Sequence, residues 1–330
     1  TQAPVVPVYL DELWGSIFSH HGGRFFWKWP RRWPYPVSIT FGKALVNPEN
    51  VARIRQAVQQ LGVESVEHRK HRRLIPARQF LRKCRSALFR SKGADSGAAE
   101  LHGGKLLAGT LMFRRLLRRK VIGRSEKMVG ILLPPSVGGV IANTAVTLLN
   151  RVAVNLNYTL SNEDVNYCIR QCQIKHVLTS RKFLEKKPFE LDAEVVFLED
   201  LKPQIGLFDK VLSLLGTYLV PAAVLERLLG ITRMGPDDLL TVIFTSGSTG
   251  EPKGVMLTND NVASNTDGVV ESFRLDKTDV MLGVLPFFHS FGYTGTIWVV
   301  LALDPKGVYH FNPLDAREIG RLCEQHKVTV

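Results

Sequence analysis

Residues 241–261 read "TVIFTSGSTGEPKGVMLTNDN". The apolar run "LLTVIF" entering this stretch predicts a buried strand, and "LTNDNVASNTDGVVESF" has the polar start and apolar spacing of a helix. The glycine-rich segment is therefore expected to connect a strand to a helix. Gly247, Gly250 and Gly254 let the backbone turn tightly and leave amide N–H groups unscreened. Thr245, Ser246, Ser248 and Thr249 add hydroxyl donors, and Lys253 adds a cation. Such a loop can wrap phosphate oxygens. It is not a Walker A loop, because Lys253 follows Pro252 and precedes Gly254 instead of sitting between a glycine and a hydroxyl residue. The glycine spacing also fails the dinucleotide G-x-G-x-x-G pattern. A linker that binds nothing would need neither the hydroxyls nor the proline and lysine between two apolar elements.

Working outward, short apolar runs alternate with helical patterns from about residue 94. A helix near 104–119 precedes the strand "MVGILLP", a helix over 136–149 and the strand "RVAVNLNY". A helix over 161–172 and the strands "KHVLTS" and "EVVFLED" follow. That alternation predicts an α/β fold with a parallel sheet covered by helices. The segment "GLFDKVLSLLGTYLVPAAVLERLLG" (206–230) is expected to be a surface helix pair with its apolar face inward. Further back, a polar helix is expected from Asn50 to about Gly62. The long apolar stretches 128–150 and 280–303 are broken by Pro, Gly or polar residues, so they read as strand, turn and helix and not as membrane spans.

The formal charge of +13 is unevenly placed: residues 1–127 carry 25 Lys and Arg against 8 Asp and Glu. A basic block suits either nucleic acid or an anionic membrane surface. In "EHRKHRRLIPARQFLRKCRSALFRSK" (67–92), apolar residues interleave with the cations as in an interfacial amphipathic helix, or as in a basic helix packing its stripe on its own domain. The aromatic and basic run 24–35 could stack bases, but a nucleic-acid module leaves the phosphate loop unexplained, so no nucleic acid is expected as partner. Cys84, Cys168, Cys172 and Cys323 match neither a secreted disulfide framework nor a zinc pattern. They imply a reducing cytosol and no metal site.

"FTSGSTGEPKGVMLTN" resembles the phosphate-binding signature of the AMP-forming adenylate synthetases, a family that includes acyl-CoA synthetases, acyl carrier protein acyl synthetases and luciferases. The resemblance implies that Thr245, Ser246, Gly247, Ser248, Thr249 and Gly250 hold ATP phosphates with Lys253 along the same loop. "LPFFHSFGY" (285–293) is similar to the family's P-x-F-H-x-x-G segment, which implies that His289 and Gly292 lie beside the acyl carboxylate. The implied fold is the large N-terminal subdomain of the adenylate-forming enzymes. The implied cofactors are ATP and Mg²⁺, with the metal ligand, the adenine and ribose contacts and the C-terminal lysine expected beyond Val330; no metal ligand is expected within the chain.

The opening "TQAPVVPVYL" resembles the last block of the glycerolipid acyltransferases at Val6, Pro7 and Val8. That family's His-x-x-x-x-Asp pair, in which Asp orients His as general base, is absent from 1–330 and is expected upstream. The order acyltransferase then adenylating domain is similar to the bacterial bifunctional 2-acylglycerophosphoethanolamine acyltransferase/acyl–acyl carrier protein synthetases. The implied boundaries are 1–65 for the acyltransferase end and 66–330 for the synthetase. The implied partners are a fatty acid, acyl carrier protein or CoA, a lysophospholipid and an anionic membrane surface. The implied location is the bacterial cytoplasm, at the cytoplasmic face of the inner membrane. A long-chain fatty acyl-CoA synthetase is the alternative within the enzyme class.

With neither active site complete, the 330-residue chain alone is expected to show no fatty-acid-dependent ATP–pyrophosphate exchange. Exchange clearly above background from the purified chain would contradict that.

Overall fold

The computed structural model describes residues 3–13, 16–20, 23, 27–30, 34–46, 50–245, 250–273 and 275–330. The chain divides into two compact units, Thr1–Arg73 and Leu74–Val330.

In the first unit, β1 (Val8–Asp11) pairs antiparallel with β2 (Ser38–Phe41), and α1 spans Val51–Arg69. Asn50 caps α1 by accepting from Arg53 N–H, which agrees with the expected start. The helix runs past the expected end at Gly62, because Ser65 and Arg69 both reach Asp11 of β1. It spans residues 65 and 66, and the compact units divide after Arg73.

The second unit opens with α2 (Pro76–Ser86), β3 (Ser91–Asp95), β4 (Ala98–His102) and α3 (Gly103–Lys120). Then come β5 (Met128–Leu132), α4 (Val137–Leu148), β6 (Val152–Asn155), α5 (Asn162–Gln171), β7 (His176–Thr179), α6 (Arg181–Lys186), β8 (Glu194–Phe197) and α7 (Leu198–Leu201). The hairpin α8 (Leu207–Tyr218) and α9 (Ala222–Leu229) leads into β9 (Leu239–Thr245) and β10 (Lys253–Thr258). The last elements are α10 (Asn259–Phe273), β11 (Val280–Gly283), a π-helix (Gly292–Val299), α11 (Val300–Leu303), β12 (Lys306–Tyr309) and α12 (Ala316–His326).

A six-stranded sheet has the order β10-β9-β6-β5-β7-β8, parallel except for the β9–β10 pair. Its central strands are apolar and buried on both faces, as a parallel sheet requires. Apolar residues of α3 and α4 form the core on one face, and those of α5, with Cys168 and Cys172, form it on the other. Burial pushes both thiols up, to about 12 and about 11, so they serve as packing residues. A second sheet has the order β11-β12-β3-β4.

Packing decides one open alternative and reverses one expectation. In α2 the apolar residues Phe80 and Leu81, with Ile75 just before the helix, are buried in the unit's own core, so this stripe is not an interfacial face. In α8 the inward side is Asp209, Ser213, Gly216 and Thr217, while Leu207, Phe208, Val211 and Leu214 are exposed. The reason is electrostatic. Asp209 accepts from Arg115 at 2.8 Å and pairs with Arg119 at 3.3 Å, both on α3. Glu226 of α9 likewise takes Arg78 at 2.8 Å and Arg82 at 2.6 Å from α2. A carboxylate turned to the inside must meet its cations there, and the apolar stripe is left outside.

The hydrogen bond from Arg115 and the charge of Arg119 hold the Asp209 carboxyl below its usual range. Stability from such a depressed group is complete above its unfolded pKa and is lost as pH falls through the folded one. Asp209→Asn is expected to lower unfolding stability at pH 7 by about 2–3 kcal/mol. Urea melts of the variant should also show a shallower loss of stability than wild type below about pH 4.

Candidate functional site

Thr245 ends β9 and pairs in register with Lys253, the first residue of β10. The glycine-rich segment is thus the loop of a β-hairpin and not a strand-to-helix connection. The helix α10 starts six residues after Lys253, where Thr258 and Asn261 cap each other's backbone N–H groups. "KGVMLT" forms a strand because it can complete the ladder of β9, a partner that helical periodicity cannot reveal.

Of the expected phosphate-binding residues, Ser246, Gly247, Ser248 and Thr249 lie outside the described residues. Thr245 is exposed, and its hydroxyl donates to the Lys253 carbonyl at 3.4 Å. Gly250 has φ +94°, where a side chain would be strained, and among the described residues nothing lies within 4 Å of where its Cβ would stand. Glu251 accepts from the Tyr167 hydroxyl at 3.1 Å, which ties this limb of the hairpin to α5. The Lys253 side chain is exposed, while its backbone is held in the ladder.

His289 and Gly292 sit at the turn between β11 and the π-helix. The His289 ring is exposed, and its Nδ1 accepts from Phe291 N–H at 3.2 Å. The neutral ring then carries its proton on Nε2, which is left as a donor. Gly292 is buried, and a Cβ there would stand 2.1 Å from the Pro286 carbonyl oxygen. Only glycine fits this turn. The two residues just before His289 anchor it: Phe287 is fully buried edge-on to Tyr309, and Phe288 packs edge-on to Tyr158 at 4.8 Å.

Tyr158 follows the carboxyl end of β6, and β6 is the parallel neighbour of β9. The histidine turn and the hairpin loop are therefore anchored at the same edge of the sheet. That edge, where parallel strands end, is where open α/β sheets take their ligands. Burial pushes the Tyr158 phenol up to about 12. A buried amide pair lies at the same edge, with Asn143 of α4 and Asn155 of β6 exchanging hydrogen bonds of 3.1 and 2.8 Å. Sequence reasoning passed over Tyr158 and this pair, although two polar amides inside apolar runs, "VIANTAV" and "VAVNLNY", are the available signal. Among the described residues no group of three His, Cys, Asp or Glu could hold a metal ion.

The sequence profile described as "AMP-binding enzyme" matches residues 105–330. The chain belongs to that family. Relatives of this AMP-binding chain include the long-chain-fatty-acid–CoA ligase of Bacillus subtilis, 24% identical over 268 residues that cover 72% of the chain and 47% of the relative. The medium-chain-fatty-acid–[acyl-carrier-protein] ligase TtuA of Teredinibacter turnerae is 47% identical over 62 residues, 19% of the chain and 10% of the relative. The fold matches the N-terminal subdomain of Klebsiella oxytoca NpsA, solved with 3-hydroxybenzoyl-AMSN, at a TM-score of 0.63 and 15% identity, covering 79% of the chain and 60% of NpsA. The fold is thus that of the adenylate-forming N-terminal subdomain. The chain spans less than half the length of the curated ligases it matches over most of its own length.

Gly292→Ala is expected to destabilise the larger unit by about 3 kcal/mol or to abolish soluble expression, because the new Cβ meets backbone that cannot rotate away. Gly295→Ala, in the same π-helix with nothing within 4 Å of its Cβ, is expected to be near neutral. Urea midpoints of the two variants provide the comparison.

Proposed function

We propose that the chain is part of an enzyme that activates a fatty acid with ATP and passes the acyl group to acyl carrier protein. What supports this most directly is membership of the AMP-binding family together with the 47% identity to an acyl–acyl carrier protein ligase. In the first step a carboxylate oxygen attacks the α-phosphorus, the bond to the β-phosphate breaks, and pyrophosphate leaves with the electron pair. A thiolate then attacks the acyl carbon, and AMP leaves. Both steps need negative charge stabilised as it develops. Thr245, Ser246, Gly247, Ser248, Thr249 and Gly250 are assigned to the ATP phosphates through backbone amides and hydroxyls, and Lys253 contributes its charge at the hairpin base. His289 is assigned to the acyl carboxylate through Nε2–H, with Gly292 holding the turn. Mg²⁺ would neutralise phosphate charge, but the described residues offer no group of three His, Cys, Asp or Glu to hold it.

The second reading is transfer to CoA, favoured by the Bacillus subtilis relative. We further propose that residues 1–65 end a glycerolipid acyltransferase domain in a longer bacterial protein, and that 66–330 begin its synthetase. Such a protein would re-acylate a lysophospholipid at the cytoplasmic face of the inner membrane. The strand pairing of β1 next to Val6 and Pro7 is compatible with this role.

In the full-length protein, Gly247→Val is expected to cut fatty-acid-dependent pyrophosphate release by about 100-fold, because a branched side chain fills the space where amides approach phosphate. Lys253→Met should cut it by about tenfold or more. Acylation of lysophospholipid from pre-made acyl–acyl carrier protein should be unchanged in both. Wild-type pyrophosphate release in both variants would sink the loop assignment. Comparing acyl carrier protein with CoA as acceptor separates the two readings.

A further inference from the structure

The outward side of the α8–α9 hairpin is apolar: Leu207, Leu219 and Leu228 are 79%, 70% and 70% exposed. Large apolar side chains exposed together on one helical hairpin point to an interaction site. Within residues 202–233 its exposed charge is one-sided, although exposed Glu199, Asp200, Asp237 and Asp238 flank the stretch. Between residues 202 and 233 the carboxylates are Asp209 and Glu226, and both are buried against arginines. The exposed charges of this stretch are Lys202, Lys210, Arg227 and Arg233.

A cavity adjoins the end of α9. There Arg114 donates to the carbonyl of Leu229, the residue after exposed Leu228, at 3.1 Å. Arg114, Arg118, Arg124 and Arg151 line a cavity of about 380 Å³ with Ile122 and Leu149, and no carboxylate lines it. The Arg151 Nε is buried without a hydrogen-bond partner among the described residues. Burial chiefly, and secondarily the neighbouring charges of Arg118 and Arg115, pushes Arg114 down to about 10.

We infer that the α8–α9 outer face and the four-arginine cavity form one docking surface for an anionic phospholipid bilayer. The leucines enter the boundary between headgroups and acyl chains, and the cavity takes lipid phosphate. Charge complementarity selects this occupant over a second copy of the chain. A two-fold interface would set this face against itself, bringing cations against cations with no exposed carboxylate from 202–233 to answer them. The inference rests on the membrane part of the function proposed above and supplies the surface that part lacked.

The test is co-sedimentation of the 330-residue chain with vesicles of phosphatidylcholine alone or of phosphatidylcholine with phosphatidylglycerol. Wild type should bind the anionic vesicles, and less so at high salt. Leu214→Ser/Leu219→Ser/Leu228→Ser should weaken that binding by at least about tenfold. Arg118→Gln/Arg124→Gln should weaken it roughly twentyfold, at about fivefold per arginine, without changing binding to neutral vesicles. All five positions are exposed, so circular dichroism should show both variants folded. Unchanged binding by the leucine variant would overturn this surface and leave the membrane reading standing. Absence of wild-type binding to either vesicle would overturn both. A dimer seen by light scattering, lost in the leucine variant and without vesicle binding, would assign the face to a second copy instead.

Discussion

One ammonium group taken out of water organises the larger unit. Lys92 of β3 is fully buried, donates to the carbonyls of Val300 at 2.7 Å and Pro305 at 3.1 Å, and pairs with Asp304 at 2.9 Å. Arg90 pairs with the same carboxylate. Asp304 sits at φ +84°, a left-handed conformation that costs a non-glycine residue on the order of 1 kcal/mol, and the two cations hold it there. Burial pushes Lys92 down to about 8 against the pull of Asp304. An uncompensated charge at this depth would be prohibitive, so the end of α11 must stay docked on β3. The π-helix and the His289 turn are continuous with α11. Their position relative to the second sheet is fixed by this contact and by the Tyr309 hydroxyl, which donates to the Thr296 carbonyl at 2.8 Å.

The same rule, that a buried charge must find its partner, decides which way the α8–α9 hairpin faces. Asp209 and Glu226 turn inward to arginines on α3 and α2, and Arg85 adds hydrogen bonds to the carbonyls of Gly216 and Thr217. Ser213 and Gly216 are buried on the inward side of α8, and a Cβ at Gly216 would meet Leu111 of α3 at an ordinary 3.6 Å. Cations that look like a membrane-facing stripe in the sequence of α2 are thus partly consumed inside the unit, and the apolar residues of α8 are what remain exposed.

At the site, the hairpin geometry changes the electrostatic account. A loop leading directly into a helix would bring the positive end of a helix dipole to bound phosphate. With β10 interposed, that contribution is absent from the loop, and the burden falls on backbone amides, hydroxyls and Lys253. The loop is anchored at both ends by the β9–β10 ladder and along its second limb by Glu251 and Tyr167. The histidine turn is held separately, by Phe287, Phe288 and the steric demand at Gly292.

Much was determined by the sequence itself. The alternation of apolar runs and amphipathic segments fixed the α/β class and placed β5 to β8 and α3 to α5 within a few residues, because each such element follows from local periodicity and capping. The glycine, hydroxyl and lysine spacing around 245–254 carried the family, and the bounds of the histidine turn were readable from Pro286 and Gly292. Tertiary structure alone decided three things. Whether "KGVMLT" is a strand depended on an edge of β9 being open to pair with it. Which face of α2 and α8 is buried depended on where the arginines of α2 and α3 met Asp209 and Glu226, partners from 90 to 148 residues away in the chain. Which polar residues join the carboxyl edge, Asn143, Asn155 and Tyr158 among them, depended on strand order. Strand order is a property of long-range pairing that no local pattern encodes.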